Sequence, residues 1–335
     1  MPQKVLTLFS LLAFGLFCLA VNALAQTGAS NFNNLDLSQY KLPPNFDKMS
    51  QVEQALVILT QEAEKDNPQA MVELGVFYER GIGVRRDYTQ ALEWYKKAAA
   101  KEFPPAFYNV GMAYLIGQGD APNVSQGLDN IRRAALRSYP MADFQLAVFY
   151  LRGQHVPKNV SEGLKYLNKA VEAGLLIAIN ELAVINYNGL WEQKVDKTKA
   201  FQLFTQAAES GYGESMRNLA VCYVNGDGQA KDPVQALKWF ILARNIGFNP
   251  AEMDQMANSL KKSLTPSNIA QAEKDAKAWE DAAIAKIQAF QQANAGAQAA
   301  QSAPAAQRAK KADQPKPAAK PAAKPATRAR SSSRR

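Results

Sequence analysis

The chain has 335 residues, of which 47% are hydrophobic and 21% are charged, a balance typical of a folded protein. It contains a single histidine, His155, which argues against a metal site or a catalytic dyad built on several histidines. The formal net charge is +9, yet residues 301–335 alone hold ten Lys or Arg and one acid, Asp313. The basic character therefore belongs to the C-terminal tail, and the rest of the chain is neutral overall.

Residues 1–25 have the layout of a secretory signal peptide. Lys4 gives a short basic start, residues 5–21 form an uncharged and mostly apolar run, and Ala23-Leu24-Ala25 supplies the small residues of a cleavage site. We expect cleavage after Ala25 and therefore a periplasmic or secreted protein. The alternative is a leader that is retained as a membrane anchor, for which a run of 17 residues is short.

The next two segments lead into the main part of the chain. Residues 26–49 are polar and rich in Asn and Gln, which predicts a linker that is mostly unstructured. In residues 50–69, Ser50 is followed three residues later by Glu53, the pattern of a capping box, and apolar residues then recur at helical spacing. This pattern predicts a helix that caps the N-terminal end of the following array.

Between residues 70 and 250 one pattern recurs five times. In each copy, small and apolar residues at helical spacing lead into a turn, most often with two glycines. An Asp or Asn then marks a helix start, and a second apolar helix face follows. A fixed period of this length is the signature of stacked helix pairs. The predicted repeats are residues 70–105, 106–141, 142–177, 178–214 and 215–250.

The first copy carries a specific motif, which reads A-x-x-x-L-G-x-x-Y-x-x-G-x-G-V-x-x-D-x-x-x-A-L-x-W-Y-x-K-A-A from Ala70 to Ala99. It resembles the Sel1-like repeat, a relative of the tetratricopeptide repeat, and the resemblance covers about residues 70–262. The resemblance implies an all-α fold, a right-handed α-solenoid of antiparallel helix pairs whose first helices line a concave surface. Sel1-like proteins are mostly adaptors that assemble other proteins, so it also implies a scaffold without catalysis of its own.

Residues 251–293 are predicted to close the array with a partial sixth repeat and a final helix. Thr265 is followed by Pro266, which is typical of an N-cap with proline at the first helical position, and the helix is predicted to extend to about Ala293. Residues 294–335 consist mainly of Ala, Gln, Pro and Lys. We predict that this basic tail is disordered, because it has too little apolar surface to bury.

A binding groove is the main functional hypothesis. By the resemblance, three side chains of each first helix face the concavity, and in the second and third repeats all three are apolar or aromatic. This favours a groove for an amphipathic helix or an extended peptide, with the specific site between about Ala106 and Trp191. The alternative is that curvature packs the same side chains into the core. The candidate groove residues are Tyr108, Met112, Leu115, Phe144, Val148, Leu151 and Tyr187.

Other chemically interesting residues have simpler explanations. His155 lies where other repeats have a turn glycine, which predicts an exposed loop residue. Cys222, the one thiol left after cleavage, occupies an apolar repeat position and is predicted to be buried. Asn123 and Asn159 match the N-glycosylation pattern, but they fall at a helix start, which favours a capping role. No catalytic residue, cofactor or metal is predicted.

Two alternatives to a scaffold remain at this stage. Some secreted Sel1-like proteins are cysteine-rich and have been linked to β-lactam binding or hydrolysis, so an envelope enzyme or β-lactam-binding protein is one, although the paired cysteines are lacking here. The other is a polyanion or nucleic-acid binder that acts through the tail, although a secretory leader makes nucleic acid an unlikely partner. We instead expect an acidic envelope polymer or a membrane surface. The polyanion-binding residues would be Arg308, Lys310, Lys311, Lys316, Lys320, Lys324, Arg328, Arg330, Arg334 and Arg335.

Overall fold

The computed structural model describes residues 37–248 and 251–302, and all regular structure in these ranges is helical. Two short 3-10 turns, Leu37–Gln39 and Phe46–Lys48, precede thirteen α-helices. The helices are α1 (Gln51–Glu64), α2 (Pro68–Arg80), α3 (Tyr88–Ala100), α4 (Pro104–Ile116), α5 (Val124–Leu136), α6 (Pro140–Arg152), α7 (Val160–Glu172), α8 (Leu176–Asn188), α9 (Lys197–Glu209), α10 (Gly213–Asn225), α11 (Pro233–Asn245), α12 (Ala251–Ser263) and α13 (Pro266–Ser302).

The helices form a solenoid, as the sequence predicts. The five repeats are the pairs α2–α3, α4–α5, α6–α7, α8–α9 and α10–α11, and the second helix of each pair also packs against the first helix of the next. Each first helix begins two residues before the small residue that opens the sequence pattern, as Pro68 precedes Ala70. Three of these helices begin with proline, whose fixed φ suits the first helical position.

Helix ends follow the local signals of the sequence. Each first helix stops at a glycine in the left-handed conformation, such as Gly81 with φ 70°, which a side chain would disfavour. Each second helix starts after an Asp or Asn whose side chain accepts a hydrogen bond from a main-chain N–H of the first turn. Asn123 accepts from Gln126 and Asn159 from Glu162, so the capping interpretation of these two residues is confirmed.

In the second and third repeats, a leucine of the first helix packs against a glycine of the second helix. A Cβ atom on Gly127 of α5 would lie only 2.7 Å from Leu115 of α4, and one on Gly163 of α7 would lie 2.7 Å from Leu151 of α6. The absence of a side chain on these glycines therefore makes room for the two leucines. Leu115 and Leu151 are 8% and 3% exposed, so they belong to the core.

The segment before α1 departs from the prediction of a mostly unstructured linker. Residues 1–36, which include the predicted leader, lie outside the described residues, but residues 37–49 dock on α1. Phe46 is buried there, and its carbonyl oxygen accepts a hydrogen bond from Gln54. Burial of the Phe46 side chain provides an apolar contact within this otherwise polar segment. The capping box of Ser50 with Glu53 is present as predicted.

The C-terminal end also differs from the prediction. Thr265 accepts a hydrogen bond from the main-chain N–H of Asn268 and α13 begins at Pro266, as expected. The helix then continues to Ser302 instead of ending near Ala293. Ala and Gln have high helix propensity, and extending an existing helix needs no new nucleation. The start of the predicted disordered tail at residue 294 was therefore wrong, and its ten basic residues lie outside the described residues.

Candidate functional site

Two clefts open between neighbouring first helices. The N-terminal cleft lies between α2 and α4 and has a volume of about 190 Å³, and the C-terminal cleft lies between α8 and α10 and has a volume of about 330 Å³. The two clefts occupy equivalent positions of the repeat, three repeats apart. Val76 of the first corresponds to Val184 of the second, and Asn109 corresponds to Asn218.

The N-terminal cleft combines an apolar wall with fixed polar groups. The Tyr95 hydroxyl donates a hydrogen bond to Glu79 Oε2 at 2.6 Å, and the Tyr108 ring packs edge-on against Tyr139 with 5.6 Å between centroids. Burial raises the pKa of Tyr108 to about 12, so its hydroxyl stays neutral at physiological pH. The cleft is lined by Val76, Glu79, Arg80, Tyr95, Tyr108, Asn109, Met112, Ala113, Ile116 and Gln118.

Asn109 is a polar residue of this cleft whose side-chain nitrogen lacks a hydrogen-bond partner. Its side chain is only 9% exposed, and its Nδ2 has no hydrogen-bond partner. Buried polar atoms are normally paired, so this donor, which is closed to solvent, is an exception.

The corresponding amide in the C-terminal cleft is hydrogen-bonded at both its nitrogen and its oxygen. Asn218 donates from Nδ2 to Asn180 Oδ1 at 3.2 Å, and its own Oδ1 accepts from Arg217 at 2.8 Å. Ser215 also donates to Asn180 Oδ1, at 2.8 Å. The two clefts therefore have the same framework but differ in their hydrogen-bonding capacity. The lining of the C-terminal cleft is Val184, Tyr187, Asn188, Phe204, Glu214, Arg217, Asn218 and Val221.

A charged network holds the rim of the C-terminal cleft. The Tyr187 hydroxyl donates to Asp227 at 2.5 Å, and Lys197 forms an ion pair with the same carboxylate at 2.6 Å. The hydrogen bond from Lys197 is the main reason that the pKa of Asp227 is held below its usual value. The network joins α8 to the turn after α10 and fixes the position of the Tyr187 ring.

The structure separates the predicted groove residues into three groups. Tyr108 and Met112 line the N-terminal cleft, and Tyr187 lines the C-terminal cleft. Tyr108 is nevertheless as buried as Leu115, at 8% exposed, and belongs to the same core cluster. Phe144 and Val148 of α6 are half-buried, and Phe144 packs against the cluster that contains Leu151. Leu115 and Leu151 are core residues, so the prediction that they face an open groove is corrected: both fill the space left by a glycine of the adjacent helix.

Sequence reasoning missed the polar side chains of the clefts. Asn109 and Asn218 occupy the fourth position of their repeats, counted from the small residue that opens each pattern. A signal for this position exists in the sequence, because all five repeats carry a carboxamide or a carboxyl group there. The five residues, referred to below as the ladder, are Glu73, Asn109, Gln145, Glu181 and Asn218.

The other candidate residues do not form a site. Cys222 is buried as predicted, and burial raises the pKa of its thiol to about 12, far from that of a reactive thiolate. His155 is exposed and packs edge-on against Phe149 at 5.0 Å. Within residues 37–248 and 251–302, no group of three or more His, Cys, Asp or Glu side chains is placed to hold a metal ion. None of the helices in those ranges has the length and apolar character needed to cross a bilayer.

A stack of helix pairs with clefts between its first helices defines the class of helical repeat scaffolds. Within that class, the model of the Sel1 repeat family matches residues 68–103, 104–139, 140–175, 176–212 and 213–248, which together are more than half of the chain. The chain belongs to the Sel1 repeat family, and its fold is one that generally serves as a scaffold for protein–protein interaction.

Two solved structures illustrate the similarity. A Sel1 repeat protein from Oxalobacter formigenes is 29% identical over 61% of this chain and 81% of its own, with a TM-score of 0.50. The protein c5321, a protective antigen of uropathogenic Escherichia coli strains with an SLR fold, is 24% identical with a TM-score of 0.57. That match covers 90% of this chain but only 58% of the antigen, and it supports the fold alone. The comparison with curated proteins gave no match.

Proposed function

We propose that this protein is a non-catalytic adaptor of the cell envelope, which binds a peptide segment of a partner protein on the face formed by its first helices. The observation that carries the proposal is the pair of equivalent clefts between first helices. Each combines aliphatic and aromatic side chains with a few polar groups, the composition typical of ligand sites.

Exposed apolar surface at the N-terminal cleft supports the proposal. Ile116 is the last residue of α4 and lies on the rim of the cleft, and its side chain is 56% exposed. Next to it, Met112 and Val76 extend the apolar surface into the cleft. A partner side chain placed here would remove apolar surface from water, which is favourable by about 25 cal/mol per Å².

The envelope location and the role of the tail are supported by sequence features. The first 25 residues have the layout of a secretory signal peptide. Residues 303–335 hold ten basic residues and one acid, without an aromatic side chain on which a nucleobase could stack. We therefore propose that the mature protein is exported and that its tail holds it at an acidic surface by electrostatic attraction.

The peptide-binding proposal is tested by selecting binders from a display library of random 12-residue peptides on the purified protein. Ile116→Asp places a charge on the rim of the N-terminal cleft, and Leu136→Asp is the matched control. Leu136 is likewise the last residue of a 13-residue helix and exposed, but it lies on the second helix of the same repeat. We expect the selected peptides to bind Ile116→Asp at least tenfold more weakly and Leu136→Asp unchanged. Failure to enrich any peptide, or equal effects of the two variants, would refute the proposal.

Export and the tail are tested separately. We expect the protein in the envelope fraction to begin at Gln26, and a cytoplasmic protein that begins at Met1 would contradict export.

For the tail, sedimentation with vesicles that contain anionic lipid compares the full chain with a chain ending at Ser302. Binding that falls steeply with salt and disappears without residues 303–335 is expected, and salt-independent binding of both chains would contradict an electrostatic tether.

A further inference from the structure

We propose that two copies of this chain associate through the C-terminal part of α13, with the two helices side by side and antiparallel. The part concerned is residues 284–302, called the α13 extension below. It is separate from the two clefts between first helices, so this inference does not depend on the proposed peptide binding.

The stack holds only the first part of α13. Trp279 packs edge-on against Trp239 of α11, with 6.2 Å between the ring centroids. Asn245, the last residue of α11, donates a hydrogen bond to Glu280 Oε1 at 2.7 Å. Among the described residues, Ala283 is the last one of α13 in the hydrophobic cluster at this end. The extension therefore projects beyond the stack, over about 28 Å at 1.5 Å per residue.

The apolar face of α13 continues past the point where the stack ends. The α13 residues that pack against the stack follow one another at steps of three and four: Ile269, Ala272, Ala276, Trp279 and Ala283. Ile287 and Phe290 come four and seven residues after Ala283, so they lie on the same face of the helix. The Phe290 side chain is 56% exposed. The face that binds α11 in the stack is thus open to water in the extension.

A helix in this position is stabilised when another surface covers its apolar face. Helices in proteins owe most of their stability to the packing of such a face and less to intrinsic propensity. The extension also contains Gly296, which lowers its helix propensity. A surface that covers Phe290 would therefore stabilise the helix and remove an exposed aromatic side chain from water.

The remaining parts of the same chain do not provide that surface. Residues 303–335 contain no Val, Leu, Ile, Met, Phe, Tyr or Trp, so they have no large apolar side chain to place on Phe290. Residues 1–36 precede the segment that docks on α1, which is at the opposite end of the stack. The occupant of this face is therefore a separate molecule.

The charge of the extension favours a second copy as the occupant. Lys286 is its single charged residue, and the other residues are Ala, Ile, Phe, Gly, Gln, Asn and Ser. A strongly charged partner would find few complementary groups here. Two identical faces of this composition meet without like-charge repulsion, provided that the two Lys286 side chains are kept apart. Such a self-complementary face is what a two-fold symmetric interface requires.

The position of Lys286 selects the antiparallel arrangement. Lys286 lies three residues after Ala283 and four before Phe290, which is the spacing of a seam position between two paired helices. In a parallel pair the two ammonium groups would meet across the seam. In an antiparallel pair with its two-fold axis at Phe290, they are about 12 Å apart along the helix axis. This arrangement also sends the two basic tails to opposite ends.

The mass of the full chain in solution, measured by sedimentation equilibrium between about 1 and 100 µM, tests the association. Phe290→Asp places a charge at the centre of the contact. Ala285→Asp is the matched control, because Ala285 is exposed on the opposite side of the extension. We expect the wild type and Ala285→Asp to pass from one chain to two as the concentration rises. Phe290→Asp should raise the dissociation constant at least tenfold.

Thermal denaturation verifies that the stack of both variants is intact, which is expected because the two residues lie beyond it. A wild-type chain that stays monomeric up to about 100 µM would overturn the inference and leave this face to a different molecule. Equal effects of the two Asp variants would overturn it as well. Neither result would affect the proposed peptide binding.

Disulfide cross-linking tests the direction of the two helices. Phe290→Cys should give a covalent dimer under oxidising conditions, because the two-fold axis brings the two copies of this residue together. Lys286→Cys should give little, since Cα atoms more than about 7 Å apart cannot be bridged. The wild-type chain measures any background from Cys18 and Cys222. Cross-linking of Lys286→Cys that equals that of Phe290→Cys would overturn the antiparallel arrangement.

Discussion

The middle and the ends of this stack are built from the same repeat but present different inner faces. In the second and third repeats, the tenth position is Leu115 or Leu151, and the adjacent helix has a glycine that makes room for it. In the first and fourth repeats, the tenth position is Glu79 or Tyr187, and each of them lines a cleft. The residue at the tenth position therefore has a different environment in the two pairs of repeats: a leucine packs against a glycine of its own helix pair, whereas Glu79 and Tyr187 line clefts between first helices.

The two clefts also differ from each other in the hydrogen bonding of one residue. Asn109 and Asn218 occupy the same ladder position, yet only the second is bonded to neighbouring side chains. Asn180 and Arg217, its partners, replace the aromatic residues that the second and third repeats have at the equivalent position. The side chains around a repeated residue thus determine whether its carboxamide is hydrogen-bonded.

The largest expected effect tests the distinction between core and cleft within one helix. Leu115→Ala should reduce the free energy of unfolding by about 2–5 kcal/mol, because it opens a cavity at a filled junction. Ile116→Ala, one residue later at the exposed rim, should change it by less than about 0.5 kcal/mol. Urea denaturation measures both. Similar losses of the free energy of unfolding for the two variants would contradict the distinction between the buried Leu115 and the exposed Ile116.

A second prediction concerns the ladder at the N-terminal end. Glu73 is 2% exposed, and burial raises its pKa to about 7, against a hydrogen bond from Gln69 that lowers it. Because the folded state holds the proton more tightly, stability is highest below the pKa of the unfolded state and decreases as the pH rises through about 7. The loss should be on the order of 3 kcal/mol.

Glu73→Gln should remove this pH dependence, and the measurement is urea denaturation between pH 4.5 and pH 8.5. The matched control is Glu209→Gln, which changes an exposed residue at the end of α9. If the wild type and Glu73→Gln show the same pH profile, the buried carboxyl group does not set the stability of this end.

The third prediction concerns the contact between Gly127 and Leu115. Gly127→Val places a branched side chain where even a Cβ would lie 2.7 Å from Leu115, so it should cost about 1–3 kcal/mol of stability. In the Leu115→Ala background the same substitution should cost less than in the wild type, because the leucine side chain is gone. Part of the cost should remain, because the Gly111 carbonyl oxygen lies 3.0 Å from the same Cβ position. Additive effects in this double-mutant cycle would show that the two positions do not compensate each other.

The smallest expected effect separates the two ladder amides. Asn218→Leu removes a residue that is bonded to Asn180 and Arg217, and it should cost about 1 kcal/mol or more. Asn109→Leu replaces an amide with an unpaired donor by an apolar side chain of similar size, and it should be neutral or stabilising by up to about 1 kcal/mol. Thermal denaturation compares the variants, and a larger loss for Asn109→Leu would contradict the assignment of Asn109 as unsatisfied.

Much of the fold could be predicted from the sequence, because its signals are local. The capping box at Ser50, the Asn and Asp caps and the glycine helix ends each act within a few residues of the chain. The period of 36 or 37 residues then extends these local signals into a stack. The end of α13 was missed because alanine and glutamine fit a helix as well as a disordered tail, and only the preceding helix decides between them.

The candidate site was predicted less well. Irregular repeats in the middle of the chain suggested a groove there, and the apolar residues of that region include Tyr108 and Met112, which do line a cleft. The leucines of the same pattern are buried, because whether an apolar side chain fills a gap depends on a residue of another helix. The spacing within one helix contains no information about that residue.

The sequence by itself determined the repeat, the helix boundaries to within a few residues and the family, because each depends on short-range backbone preferences repeated at a fixed interval. Only the tertiary structure decided which tenth-position side chains are buried against a glycine and which ladder amide is hydrogen-bonded. Leu115 is buried because Gly127 faces it, and Asn218 is satisfied because Asn180 and Arg217 reach it from their own positions. These outcomes depend on the distance between side chains that the folded stack brings together, which no pattern along one helix specifies.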